Sequence, residues 1–250
     1  TRRYGTVSSI LYLQTSHIIH SFNVDVLSNA VGFTLLSTID KLVEIAMEGD
    51  GVSHLKVAEN LVKSGDIRLR SSQFKDAMQS YNRALEIRLE QLGDKHPDTA
   101  ESYKAVGNVF YKEANFESAE EMYQKALEID LEAQPDNHLL LSDRYSDMAN
   151  VLTVQCKLDE AIKMSKQSLA RRLHIHGRED HSEIASEYVG IGVLLVKRNR
   201  LDDALQMFDR VIEVCNRLGP GGDNRKSLAA ALGSQALIRQ EQGDLEAATE

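Results

Sequence analysis

Tryptophan is absent from this 250-residue chain, and proline occurs only three times. Proline is the residue that most often interrupts helices and punctuates turns, so its scarcity leaves room for long helices joined by short connections. Cysteine is nearly absent as well. Cys156 and Cys215 stand far apart, which makes neither a disulfide framework nor a zinc-ligand spacing and fits a reducing, cytoplasmic compartment. Positive charge is in deficit: 29 Lys and Arg against 38 Asp and Glu leave a net charge of −9. A general nucleic-acid binder carries a basic footprint that this balance lacks. Long apolar runs are missing too. A membrane-spanning helix needs about 20 apolar residues, whereas the stretch from Ile10 to Ile19 is broken by Gln14, Thr15, Ser16 and His17.

What is present is a period. Glu59, Gly65, Phe74, Ala77, Tyr81, Ala84, Leu85, Glu86, Ile87 and His96 recur 42 residues later as Glu101, Gly107, Phe116, Ala119, Tyr123, Ala126, Leu127, Glu128, Ile129 and His138. Self-similarity at a period of roughly 20–50 residues marks a solenoid or array. Hydrophobic residues make up 42% of the chain, enough for a continuous core and too many for wholesale disorder. A glycine-or-alanine position advances through Gly65, Gly107, Ala149, Gly192 and Ala236, in steps of 42, 42, 43 and 44 residues.

Each period reads as two helices. Tyr103, Val106, Gly107 and Phe110 lie at helical spacing, as do Ala119, Tyr123, Ala126 and Leu127. Short turns join them: SSQF, EANF, QCKL, RNRL and QGDL. Loops rich in stop signals follow: LGDKHPD, EAQPDNH, HGREDH and LGPGGDN. The repeats are expected at 58–95, 100–133, 142–176, 185–219 and 229–250, giving an array of about four and a half over 55–250. Residues 1–54 form an N-terminal helical segment, a capping helix or a degenerate repeat, with an apolar stripe at Leu27, Val31, Leu35, Ile39 and Val43. The chain begins at Thr1 and its last repeat stops at Glu250 inside its second helix, as expected of a piece of a longer protein.

The small residues let paired helices approach closely, and Phe116 or Leu158 plugs the hairpin end. Tyr81, Tyr123 and Phe208 reach toward the neighbouring helix. One hairpin cannot bury its face alone, so stacking supplies the core.

This skeleton resembles the tetratricopeptide repeat. Tyr103, Val106, Gly107, Phe110, Ala119, Tyr123 and Ala126 match its signature of an aromatic, a large apolar residue before Gly, an aromatic, then Ala and a second aromatic. The usual period is about 34 residues. The longer one here, with LGDKHPDTA as connector, is similar to the repeats of kinesin light chain. That resemblance implies an all-α, right-handed superhelix of antiparallel helix pairs whose first helices line a concave groove. It also implies a protein-interaction scaffold that holds a peptide or helix of a partner protein.

On that expectation the candidate groove residues are Lys104, Asn108, Tyr111, Lys112, Asp147, Asn150, Val193 and Lys197. The lining grades from polar and partly basic to apolar along the array. Asn108 and Asn150 suit a peptide backbone, because an amide both donates and accepts. Lys104 and Asn108 match half of the carboxylate clamp of chaperone-binding relatives, but Asp147 stands where that clamp needs Asn and would repel a carboxylate. Kinesin light chains carry paired asparagines where this chain has Lys104 and Ala105, Ser146 and Asp147, and Val189 and Gly190. The alternative reading is a regulatory or sensor arm of a larger multidomain enzyme or signalling NTPase. An exposed apolar array end also allows self-association.

No catalytic, cofactor-binding or metal-ligating set is expected. His96, His138 and His181 recur at one loop position and read as residues that bond the loop or end a helix; His174 and His176 read as surface residues. GPGGDN (219–224) lacks the Lys-Ser/Thr of a phosphate loop and reads as a turn. Acidic stretches such as Glu117–Glu121 read as solvated helix faces.

Overall fold

A computed structural model of the protein describes residues 54–177, 181–219 and 224–243. The expected helix within residues 1–53, and Leu245 and Ala248 of the last repeat, lie outside the described residues. All regular structure among the described residues is helical, an all-α helical repeat solenoid in two compact units. The first unit holds α1 (His54–Arg70), α2 (Phe74–Leu92), α3 (Pro97–Lys112) and α4 (Phe116–Ala133). In the second lie α5 (His138–Val154), α6 (Leu158–His176), α7 (Ser182–Lys197), α8 (Leu201–Leu218) and α9 (Asn224–Glu241).

Helix starts follow local chemistry. Pro97 opens α3, where its missing N–H costs nothing, and the His96 ring accepts a hydrogen bond from Asp98 N. His181 caps α7 in the same way, accepting from Glu183 N. His138 differs from its two counterparts: it is the first residue of α5, and Asn137 caps that helix by accepting from Leu140 N. At the other end of α6, Gly177 takes the left-handed conformation, with φ 61°, that glycine adopts without a Cβ penalty.

The hairpin turns repeat one motif. Ser72, Ala114, Cys156 and Asn199 all have φ of 59–60°. In each case paired bonds satisfy the last carbonyls of the preceding helix, as in Ala114 N to Tyr111 O at 3.1 Å and Asn115 N to Phe110 O at 2.9 Å. This is a Schellman closure built on residues other than glycine.

Packing follows the hairpins. Within the first unit α1 pairs with α2 and α3 with α4, while α2 and α3 join the two hairpins. Within the second α5 pairs with α6 and α7 with α8; α6 packs on α7, and α9 covers both α7 and α8. Ala77, Tyr81, Ala105, Val106 and Val109 form a buried cluster in the first unit, with Val62, Leu69, Phe74 and Met78 packed on it.

The small residue of each first helix serves a ring. A Cβ on Gly65 would stand 2.5 Å from the Tyr81 ring, one on Gly107 2.7 Å from Tyr123, and one on Gly192 2.6 Å from Phe208. All three rings are buried. The small residues, expected to let the two backbones approach closely, instead leave room for an aromatic face. In the hairpin of α5 and α6 both residues change: Ala149 takes the glycine position and Ser165 the ring position, and both are buried. Where the ring carries a hydroxyl, the first helix supplies an acceptor. Tyr81 donates to Asp66 Oδ1 at 2.6 Å and Tyr123 to Asn108 Oδ1 at 2.8 Å. Opposite Phe208 that position holds Val193.

Two measurements follow from this geometry. Ala114→Gly removes a left-handed alanine and is expected to raise stability by about 1 kcal/mol, read as a higher urea midpoint at unchanged slope. Burial and then the hydrogen bond to Asp66 push the Tyr81 phenol far above its ordinary range. The unfolded phenol ionises near pH ~10, so the unfolded state loses its proton first. The contribution is whole below that pH and falls as pH rises beyond it. Denaturant melts in alkali should show a shallower loss of stability with pH for Tyr81→Phe than for the parent; identical slopes would contradict the buried phenol.

Candidate functional site

The sequence-derived groove residues divide between the two units. In the first, Lys104, Asn108, Tyr111 and Lys112 occur at spacings of four, three and one along α3, which puts them on one helical face. Lys104 is partly exposed, with Nζ 3.9 Å from Glu101. The Asn108 oxygen is occupied by the Tyr123 hydroxyl. The Tyr111 ring meets Phe116 edge-on, with centroids 5.6 Å apart, so the residue at the hairpin end braces a face residue. Lys112 is exposed. On α1, Lys63 pairs with Glu59 at 2.6 Å. Ala105 at 5% exposure is core rather than lining, and Val62 and Leu69 pack on the same cluster.

In the second unit Asp147 is half-buried on α5 and Asn150 is exposed. Val193 and Lys197 are exposed on α7. A Cβ added to Gly190 or Gly233 would meet nothing within 4 Å, so these glycines leave open surface on α7 and α9. Beside them Val193 is 39% exposed, Leu232 49% and Leu237 64%. Leu232 is a face residue that the sequence alone did not single out; its signal was an apolar side chain directly before Gly233, off the buried stripe of Ala231, Gln235 and Ile238.

A second feature emerges only in three dimensions. Arg88 on α2 reaches the neighbouring hairpin and donates to Ser102 Oγ and Asp98 O, both at 2.8 Å. In the second unit the corresponding cation is Arg172 on α6. It meets Asp143 at 3.0 Å, Glu183 at 2.7 Å and Glu187 at 3.0 Å. Burial pushes the Glu187 carboxyl up, against the pull of Arg172 and of the Ser168 hydroxyl. Burial would raise Glu183 as well, but hydrogen bonds from Arg172 and His176 hold it below the usual carboxylate range. These groups join hairpins.

The apolar and polar surfaces that remain are helix faces. The described openings are shallow and lined by charge: one by Leu55, Lys56, Glu59, Arg88 and Asp98, another by Cys156, Lys157, Leu158, Asp159, Glu160 and Arg198. Arg198 and Asp159 close on each other at 3.0 Å. No described helix is long and apolar enough to cross a membrane.

Comparison with known proteins accords with this architecture. Tetratricopeptide repeat family models match residues 56–132 and 188–218. The comparison with curated protein sequences returns no match. Among solved structures, the chain is similar to BtubC (BKLC) from P. vanneervenii, at 21% identity and a TM-score of 0.69, covering 86% of this chain and 85% of that one. It is also similar to a Podosopora anserina putative kinesin light chain with nearly identical TPR-like repeats, at 14% identity and a TM-score of 0.67, covering 79% and 92%. A third is YrrB, described as a TPR protein with an unusual peptide-binding site, at 19% identity and a TM-score of 0.52, covering 79% and 87%. The chain thus carries tetratricopeptide repeats at residues 56–132 and 188–218, in a helical-repeat fold similar to that of the kinesin-light-chain-like arrays.

Proposed function

We propose that this scaffold holds an extended peptide or a helix of a partner protein against the exposed faces of its first helices. The observation that carries the reading is the Tyr123–Asn108 bond. A hydroxyl on the second helix holds the oxygen of an amide on the first at 2.8 Å. That bond fixes the amide's orientation and leaves its N–H groups as donors for a ligand carbonyl. An oriented donor loses less entropy on binding than a free side chain.

The two units suit different ligand chemistry. On α3, Lys104, Asn108 and Lys112 favour backbone carbonyls and acidic side chains. On α7 and α9, Val193 and Leu237 beside open glycines favour apolar side chains lying close to the helix backbone. YrrB, whose description names a peptide-binding site, supports the class of ligand rather than its identity.

A peptide-display screen against the chain, with Lys104→Glu/Asn108→Ala/Tyr111→Ala as control, tests this reading. Enriched peptides should lose binding to the control. In single variants, Asn108→Ala and Tyr123→Phe are expected to weaken the same peptides by about tenfold, the equivalent of one good hydrogen bond. Tyr123→Phe touches no ligand and keeps the ring on Gly107, so its effect isolates the positioning role. Peptides that bind parent and control alike would place recognition elsewhere on the array.

A further inference from the structure

Where α6 ends and α7 begins, two imidazoles and a carboxylate meet. His176 is the last residue of α6, His181 caps α7, and Glu183 lies in its first turn. One donor atom from each lies within 4.8 Å of the others. The His176 Nε2 to Glu183 Oε2 distance is 3.4 Å. Two ligands bound at Zn–N and Zn–O lengths of about 2.0–2.1 Å on a tetrahedral ion stand about 3.4 Å apart, so this pair already has the separation of a shared metal. The rings of His176 and His181 stack 3.7 Å apart, which keeps the third ligand adjacent.

We propose that His176, His181 and Glu183 form a divalent transition-metal site that ties the end of α6 to the start of α7. Two nitrogens and one oxygen are a donor set for Zn2+, Ni2+, Cu2+ or Co2+ rather than for Mg2+ or Ca2+, which favour all-oxygen shells. Three protein ligands leave one tetrahedral position for water or for a group from a partner.

Binding exchanges existing contacts for metal bonds. An imidazole that gives a lone pair to a metal keeps its other nitrogen protonated, so His181 gives up its 3.3 Å acceptor bond from Glu183 N. Glu183 releases Arg172, which retains Asp143 and Glu187. The ring stack opens so that both lone pairs converge. These exchanges set the expected affinity in the micromolar range rather than the far tighter range of closed structural zinc sites.

The test is calorimetric titration of the full chain with Zn2+ in a non-chelating buffer, beside a Co2+ absorption titration. Two variants are decisive. His181→Asn removes a ligand yet keeps a side chain that caps helices well; His176→Gln removes the other imidazole at the helix end. The parent should bind one Zn2+ per chain with micromolar affinity, gain thermal stability from it, and give a visible Co2+ band. Each variant, with unchanged far-ultraviolet circular dichroism, should bind at least ~10-fold more weakly and lose the thermal shift. Equal affinity in the parent and both variants would overturn the site by placing the metal elsewhere, for instance at His138 and His174, whose ring centroids lie 3.9 Å apart. Absence of binding at millimolar Zn2+ would overturn it outright.

Discussion

An aromatic ring lying on a helix backbone is the contact on which the rest of this structure depends. Gly65, Gly107 and Gly192 leave no room for a Cβ because Tyr81, Tyr123 and Phe208 occupy that space. The contact sets how near the two helices of a hairpin can come, and where along each other they register. Tyr81 and Phe208 are also the two largest fully buried side chains among the described residues, and burial of a ring this size is a large apolar contribution. Protein interiors are packed too densely to absorb an extra methyl group at such a point without displacement. The hairpin of α5 and α6 obeys the same constraint from the other side: with Ala149 in place of glycine, Ser165 stands in place of the ring.

The same contact reaches the proposed binding face. A buried phenol requires a hydrogen-bond partner, and the acceptor sits one residue beyond the glycine, at Asp66 or Asn108. That residue belongs to the exposed face of the first helix. Core chemistry therefore decides face chemistry: a tyrosine inside calls for a polar acceptor outside, while Phe208 inside leaves the position free for Val193. The grading from a polar face on α3 to an apolar one on α7 is in part a consequence of which ring each hairpin buries. Between hairpins, Arg88 and Arg172 supply directional bonds that an apolar contact lacks. Arg88 holds a carbonyl and a hydroxyl of the next hairpin, and Arg172 holds carboxylates of both neighbouring first helices, so each cation recognises a particular neighbour.

Much of this is legible in the chain itself. The 42-residue offset, the turn quartets and the small-residue ladder are local or strictly periodic, and they carry the helix pairs and the array. The proposed binding face is harder to read, because helical spacing separates faces but not depth. Ala105 falls beside Lys104 on that face in a helical projection, yet it is buried at 5% exposure, in one cluster with Ala77 and Tyr81 of α2. The sequence shows Asn108 as an amide with two capacities; that its oxygen is already committed depends on a residue fifteen positions away on another helix. Arg172 gives no signal, because its three carboxylates come from both neighbouring first helices. The meeting of His176 with His181 is hidden for a related reason: a five-residue separation fits no helical face, and the rings meet between the end of α6 and the start of α7.

The most direct measurement of the central claim is a double-mutant cycle on Gly107 and Tyr123. Gly107→Ala alone drives a methyl group into the ring and should cost about 1–3 kcal/mol. Tyr123→Ser alone empties the site and should cost about 3 kcal/mol or more. Together they reproduce the Ala149 and Ser165 pairing already present in the α5–α6 hairpin, so the double variant should be more stable than the sum of the two single losses by at least about 1 kcal/mol. Additive losses would mean that ring and glycine do not constrain each other, and their contact would not be what sets the hairpin.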